Sequence, residues 1–483
     1  MADAQGYYDQ QQQQQYYQQP EAQQQEYQQA DPQQQYPYGW YEQAEYNYTQ
    51  NEGAPILLGS EMEDEGAEGR SGKGEGGGTN VLVAPQAPAP QTPPAVPGQD
   101  TGSSISKATR RPKPTPTTST TTPTPPPPLL CSVGTQTAIS KLFPPDKSCD
   151  IIIYTHVRVF QKAVIGSVNG ISYHAFRNAC STYVDTSCGL SFDVRGLEKD
   201  MFQTVEVRDD LNALNQQHRV YHYGILNIID DPTPVQNLAT VTAPTILKVM
   251  RKLLGSDRER NKVFAGVGYY FYDDNNAWMN LEYTAENLAL PELDILVILS
   301  TTLTMPSPER CLTLPINAFK SQKLYPPTLD KAYRMATSVF SKPELVVAFA
   351  LQMGVAVYSF EKRPKSASSA LYTPCTGFGI TDYSQACQVP QTDLNIEKTA
   401  IGQESEQLSQ QLNQSRLLAY DTLHHLIDKA KNIMRRQDVR ANFTWLLLNA
   451  DLTDKTGQCL GAPFERVKGF RDFYYRRAQK PKG

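Results

Sequence analysis

Two apolar runs in this 483-residue chain end in acids, and a carboxylate at the end of a strand can work as a general acid or base. "YHYGILNIID" (221–230) closes on Asp230, and "VFAGVGYYFYDD" (263–274) closes on Asp273 and Asp274. Alternate residues of a strand face one side, so a catalytic strand would carry its acids at every second position. In the second run those positions hold glycine and tyrosine. A lone acid such as Asp230 ordinarily ends a strand as a turn residue. The aromatic residues of the same region, Tyr269, Tyr270, Tyr272 and Trp278, are suited to other chemistry. Their ring faces stack on sugars and their hydroxyls add hydrogen bonds, which is binding without hydrolysis. The competing reading is that these rings simply fill space.

Other chemistries find no support. His218 and His222 are four apart and could share a helix face, but no third metal ligand accompanies them. His424 and His425 are adjacent, so at most one faces inward. The cysteines show neither a Cys-x-x-Cys pair nor zinc-ligand spacing. "GVGYYF" is not a phosphate loop, because it lacks Gly-Lys-Ser/Thr and does not lead into a helix. No nucleophile elbow or Ser-His-Asp arrangement is visible. The net charge of −5 and the scattered basic residues argue against nucleic acid as a partner. No cofactor and no metal are expected.

The elements that would hold these residues are short apolar strands between amphipathic stretches. The strands are "LLCSV" (129–133), "DIIIYTHVRV" (150–159), "CGLSFDV" (188–194), "YGILNI" (223–228), "VFAGVGYYF" (263–271), "LDILVILSTT" (293–302), "MGVAVYSF" (353–360) and "FTWLLLNADL" (443–452). Near-continuous apolar runs suit parallel strands covered on both faces. Helical stripes run through Ile246 to Leu254, closed by Gly255, and through Leu423 to Met434. A third joins Phe464, Val467, Phe470 and Tyr474, with Pro463 placed at the helix start. Eight strand candidates with interleaved helices predict an α/β fold, a closed (β/α)8 TIM barrel over 129–483.

Residues 1–128 read differently. A Gln/Tyr-rich stretch, an acidic Gly-rich patch and a Thr/Pro tract follow one another, with too few aliphatic residues to offset the entropy of ordering. They read as a disordered low-complexity tail. The start, "MADAQGYYDQQ", has neither the basic nor the apolar region of a signal peptide, and no window is apolar enough for a transmembrane helix. Yet all eight cysteines lie in the barrel region, and an even set there points to disulfides and an oxidising, extracellular compartment. Asn47, Asn413 and Asn442 open sequons compatible with that.

Four separated stretches resemble glycoside hydrolase family 18, the chitinases. "LLCSVGTQTAISKLFPPDKSCDIIIYTHV" resembles the family's first two strands, with a cysteine on the first. "LQMGVAVYSF" resembles its seventh strand, Gly354 and Tyr358 matching and Ala356 replacing a proline. "CTGFGITDYSQAC" resembles its inserted segment, with Tyr383 and Cys387 matching. The stretch from Tyr420 and Asp421 through Lys429 and Ala430 to Asp451–Asp454 and Cys459 resembles its closing run. The chain is also similar to the divergent chitinase-like families of ticks. The resemblance implies a TIM barrel with a small inserted segment. It also implies disulfides Cys131–Cys149 and Cys387–Cys459, and glycan contacts from Tyr358, Asp230 and Asp451.

The family works through Asp-x-x-Asp-x-Asp-x-Glu on its fourth strand, the glutamic acid protonating the glycosidic oxygen while the substrate's N-acetyl group attacks. Two strands compete for that place. If "VFAGVGYYFYDD" is the fourth, the acids become Ala265, Gly268, Tyr270 and Tyr272. If "YHYGILNIID" is, they become Tyr223, Leu226, Ile228 and Asp230. Both lack the acid/base. The family's sixth-strand residues fall on Leu299, Thr301 and Thr302, and its eighth-strand tryptophan on Leu448. Trp445, three residues earlier, has the opposite pleat parity and should face the helices. The expected protein is thus a non-catalytic chitinase-like barrel binding chitin, N-acetylglucosamine oligomers or a protein partner. The alternatives are a hydrolase with relocated acids (Asp230, Asp273, Asp274) and a structural or matrix protein acting through its tail.

Overall fold

The computed structural model describes residues 126–478, apart from 231–234, 236, 270–276, 304–307, 322–326, 388–395, 402–407, 414 and 437–441. The expectation of a disordered tail therefore falls almost entirely outside the described residues. So do Tyr270, Tyr272, Asp273 and Asp274 and the side chains of Tyr269, Trp278, Asp230 and Cys387.

The apolar runs become strands that close on themselves. The first is β1 (Leu130–Val133), followed by β2 (Ile151–Phe160), on whose far end β3 (Val164–Gly166) folds back antiparallel. Next come β4 (Ser187–Phe192), β5 (Val220–Asp230), β6 (Val263–Tyr269), β7 (Ile295–Ile298) and β8 (Val346–Gln352). The last barrel strand, β14 (Phe443–Leu448), pairs with both β8 and β1. The order β1-β2-β4-β5-β6-β7-β8-β14 is parallel throughout and closed, so the expected (β/α)8 TIM barrel is the observed fold.

Alternation along these strands sorts two apolar layers. Leu130, Ile153, Leu226, Phe264, Val297, Ala350 and Leu446 fill the barrel axis. Their neighbours, such as Ile152, Ile225, Ala265, Leu296, Phe349 and Trp445, pack outward against the helices. Glycines make room inside. A Cβ on Gly224 would stand 2.0 Å from the Phe264 carbonyl oxygen, and one on Gly266 would stand 2.9 Å from a Leu226 methyl. Large side chains on one strand thus occupy the place a side chain would take on the next.

The outer ring contains α1 (Gly170–Thr182), α2 (Val205–His218), α3 (Ala243–Leu254), α4 (Ala277–Leu288), α5 (Leu329–Ala336), α6 (Leu423–Met434) and α7 (Glu465–Ala478). Side-chain oxygens of Asn169, Thr204, Thr328 and Thr422 cap α1, α2, α5 and α6. Gly255 closes α3 with φ 74°, as its stripe predicts. The third predicted start is displaced. Helix α7 begins at Glu465, because Phe464 adopts a left-handed φ of 59° after Pro463.

One strand assignment needs correction. "MGVAVYSF" is not the seventh barrel strand; that place belongs to β8, "VVAFALQ". After Gln352 the chain leaves the barrel, and β9 (Val355–Ser359) opens a separate antiparallel sheet with β10 (Gly377–Thr381), β11 (Ile396–Ile401), β12 (Leu408–Asn413) and β13 (Arg416–Tyr420), in the order β10-β9-β13-β12-β11. Gly354 permits the exit, since a Cβ there would meet Ile380 of β10 at 2.6 Å. This sheet is the inserted segment, between the seventh and eighth barrel strands.

Disulfides join Cys131 to Cys149, as the resemblance implies, and also Cys180 to Cys188 and Cys311 to Cys375. The last ties the segment after β7 to the inserted sheet. Cys459 is disulfide-bonded too; its expected partner Cys387 has a side chain outside the described residues. No helix among the described residues is long and apolar enough to cross a membrane.

Candidate functional site

Counting around the barrel decides which strand stands where a family 18 enzyme carries its acids. The fourth barrel strand is β5, "VYHYGILNIID", and the run "VFAGVGYYFYDD" belongs to the fifth, β6. The reading that placed the lost acids at Ala265, Gly268, Tyr270 and Tyr272 is therefore set aside. On β5, Tyr223 faces outward and its hydroxyl donates to Val220 O at 3.1 Å. Leu226 faces the axis. The register with β6 shifts between Ile225 and Ile228, so Ile228 joins the outer layer and Ile229 packs toward the axis. An irregularity of this kind breaks simple alternation, and residues 226, 228 and 230 do not form one inward row.

Apolar side chains crowd the axis at this level. Leu226, Leu299 and Leu448 are buried, and Ile229 and Leu303 pack against them. Leu448 does occupy the inward position that the resemblance gives to a tryptophan. Trp445 is fully buried between Phe349, Phe443 and Phe470, facing the helices as its parity predicts.

Two expected glycan contacts have structural partners instead. Tyr358 is fully buried in the inserted sheet; its hydroxyl donates to Leu314 O at 2.7 Å and accepts from Leu314 N at 3.2 Å. No ring face is left for a sugar, which corrects that assignment. Asp451 is also fully buried, accepting from Thr137 Oγ1 at 2.9 Å and Gly134 N at 3.2 Å. It clamps the segment after β1 to the segment after β14. Burial pushes its pKa up to about 6, against the pull of the Thr137 and Gly134 hydrogen bonds.

The histidine pair is likewise divided. His218 ends α2, its Nδ1 2.9 Å from Ser181 Oγ, whereas His222 lies in β5. The His222 ring is buried between Ser187 Oγ at 2.7 Å and Lys262 N at 3.0 Å, so no shared helix face exists. Burial, with Lys262 nearby, drives its pKa down to about 3. Between pH 6.5 and about 3 the unfolded chain holds a proton there that the folded chain refuses. Stability therefore falls as pH falls across that window. Asp451 has the opposite sign: its contribution is full below 3.8 and lost as pH rises through about 6. The larger histidine shift should dominate. His222→Gln is expected to flatten the decline in melting temperature between pH 7 and 4.5; an unchanged slope would remove this assignment.

A polar cluster that the sequence reading did not single out sits at the C-terminal ends of three adjacent strands, where (β/α)8 barrels hold their sites. His156 and Arg158 come from β2, Ser191 from β4, Asp193 from just beyond β4, and Asn227 from β5. Arg158 Nε donates to Asp193 Oδ2 at 3.0 Å, and its Nη2 lies 2.9 Å from the same oxygen. Asn227 Nδ2 donates to Asp193 Oδ1 at 2.7 Å, while Asn227 Oδ1 accepts from Val194 N at 3.0 Å. Ser191 Oγ lies 3.0 Å from His156 Nδ1 and accepts from Leu226 N at 2.8 Å. Burial raises the Asp193 pKa, but the hydrogen bonds from Asn227, Arg195 and Arg158 outweigh it and hold the carboxyl below its usual range. Burial drives His156 down to about 4. At neutral pH the cluster thus contains a neutral imidazole, a serine hydroxyl, a carboxamide and the Arg158–Asp193 ion pair. The Arg158 side chain keeps 31 % of its surface exposed and Asp193 11 %. Polar residues at 155, 156 and 158 after the apolar start of the strand, and an acid two places after Ser191, were the available signals.

The first of the expected aromatics, Tyr269, ends β6 and pairs through its backbone with Asp230 at the end of β5.

The fold is a (β/α)8 barrel with an antiparallel sheet inserted before its last strand. No protein-family model matches the chain, and no curated protein matches it in sequence. Solved structures match it in fold. Human YKL-39, described as a pseudo-chitinase with retained chitooligosaccharide binding properties, has 14 % identity and a TM-score of 0.50, covering 72 % of this chain and 99 % of its own. The Group IV chitinase of Ostrinia furnacalis in complex with allosamidin has 10 % identity and a TM-score of 0.53, covering 73 % of this chain and 100 % of its own. Catalytic domain 2 of the Ostrinia furnacalis Group II chitinase has 11 % identity and a TM-score of 0.51, covering 74 % and 98 %. At these identities the likeness is one of fold.

Proposed function

We propose that this protein is a non-catalytic chitinase-like barrel that binds N-acetylglucosamine-containing glycans at the mouth of its barrel, outside the cell. The observation that carries the reading is the fourth strand. Where a family 18 enzyme needs a row of carboxylates, Leu226 packs into an apolar axis and Ile228 faces outward. Asp193 is no substitute, because its ion pair with Arg158 and its lowered pKa keep it ionised at neutral pH, and an ionised carboxylate cannot protonate a leaving group. The hydrogen-bonding groups of the cluster suit a hydroxyl-rich ligand, and the disulfides suit an oxidising compartment.

Titration of the full chain with chito-oligosaccharides tests this. Saturable binding is expected, and His156→Ala should weaken it by roughly tenfold or more, the scale of one lost hydrogen bond at a partly buried site. Equal affinity in a folded variant would place the site elsewhere.

A further inference from the structure

A cavity of about 250 Å³ opens at the N-terminal end of the barrel, opposite the mouth. Its charged walls are Arg258, Lys262, Asp294 and Glu344, and its apolar ones are Pro128, Ile295 and Val346. They come from the segments just before β1, β6, β7 and β8 and from the first residues of β7 and β8. The volume is many times the ~30 Å³ that one liquid water takes up, so a small organic molecule fits. The charges around it are unevenly matched. Arg251 and Asp294 form a buried ion pair, and Asp294 Oδ2 also accepts from Val263 N at 2.6 Å. Arg258 approaches the same carboxylate only to 3.4 Å, donates to Pro291 O, and keeps 37 % of its side chain exposed. Asp294 is thus neutralised by Arg251, and the charge of Arg258 is left over. The side chains of Lys262 and Glu344 make no hydrogen bond or ion pair among the described residues.

We infer that this cavity binds a free α-amino acid with an aliphatic side chain. Arg258 and Lys262, both from the segment before β6, offer charged donors to its carboxylate. Glu344 precedes β8, two strands further round the sheet and so on the order of 10 Å away at the backbone. The facing side chains and a bound ammonium group fill that gap. Pro128, Ile295 and Val346 give the ligand's side chain an apolar wall. Each half of a zwitterion therefore meets a charge that the protein leaves unmatched. A simple anion would stand beside an uncompensated Glu344, and a simple amine beside two uncompensated cations, so both are disfavoured.

The test uses three probes with the same hydrocarbon body: L-leucine, isocaproate, which lacks the ammonium, and isoamylamine, which lacks the carboxylate. Titrated into the full chain, leucine should bind saturably. The other two should each bind roughly tenfold more weakly or worse, the scale of one lost charged hydrogen bond. Glu344→Gln should weaken leucine by a similar factor without weakening isocaproate. Lys262→Gln should weaken leucine and isocaproate alike and spare isoamylamine. Neither substitution removes a side-chain hydrogen bond or ion pair among the described residues, so both variants should fold. Should either fail to, the ranking of the three probes on the parent chain decides. Isocaproate bound as tightly as leucine, leucine binding unmoved by both substitutions, or no leucine binding at any attainable concentration overturns the inference. None of these outcomes touches glycan binding at the other end of the barrel, which stands or falls on its own titration.

Discussion

Replacing Lys429 with methionine should destabilise the fold by about 3–5 kcal/mol, the cost of leaving a buried charge unpaired. Lys429 Nζ donates to both oxygens of Asp421 at 2.7 and 2.8 Å, and the two side chains are 2 % and 0 % exposed. Asn317 Nδ2 adds a bond to Asp421 at 2.9 Å and also donates to Gln352 O at 3.0 Å, while Asn317 Oδ1 accepts from Gln352 N at 2.7 Å. The pair therefore anchors the end of β8, where the chain leaves the barrel for the inserted sheet, to the start of α6. Chemical denaturation should show the loss as an earlier midpoint. Asp421→Leu combined with Lys429→Met should recover most of it, because removing both charges removes the desolvation cost as well. If the single variant unfolds at the parent midpoint, the pair does not hold this junction.

Trp445→Ala should cost a comparable ~3–5 kcal/mol, the range for deleting a fully buried aromatic. The ring has 0 % exposure and edge-to-face neighbours at 5.1 Å (Phe443), 5.8 Å (Phe470) and 6.2 Å (Phe349), binding β14 and β8 to α7. Its Nε1 is buried without a hydrogen-bond partner. Trp445→Phe should therefore be far milder, since it removes an unsatisfied donor along with some volume. Were alanine tolerated as well as phenylalanine, the ring would not be a packing centre, and the parity argument for its orientation would lose its energetic meaning.

Much of this architecture can be read from the residues, and the exceptions have physical causes. Apolar runs separated by capped helices specify the barrel, and a three-residue offset from Leu448 is enough to aim Trp445 outward. The seventh strand is misplaced because "MGVAVYSF" is as strand-like as "VVAFALQ"; only the tertiary approach of Ile380 to Gly354 shows where the barrel ends. The row of positions that the resemblance gives to acids is misdrawn because the irregularity on β5 is invisible in an apolar run, yet it moves Ile229 rather than Ile228 toward the axis. Tyr358 and Asp451 sit where the resemblance places functional residues, but each is consumed by backbone or hydroxyl partners far away in sequence. The mouth cluster escapes detection for a related reason. His156, Asp193 and Asn227 come from three strands, and nothing short of the closed sheet brings them within hydrogen-bonding reach.

One experiment separates a binding barrel from an enzyme most directly. The full chain is incubated with a chito-oligosaccharide at neutral pH, its binding is followed by titration, and the recovered sugar is weighed by mass spectrometry. A barrel whose fourth strand carries Leu226 in place of an acid should bind the oligosaccharide saturably and return it intact. Shorter oligosaccharides released catalytically, or no binding at any concentration, would contradict that.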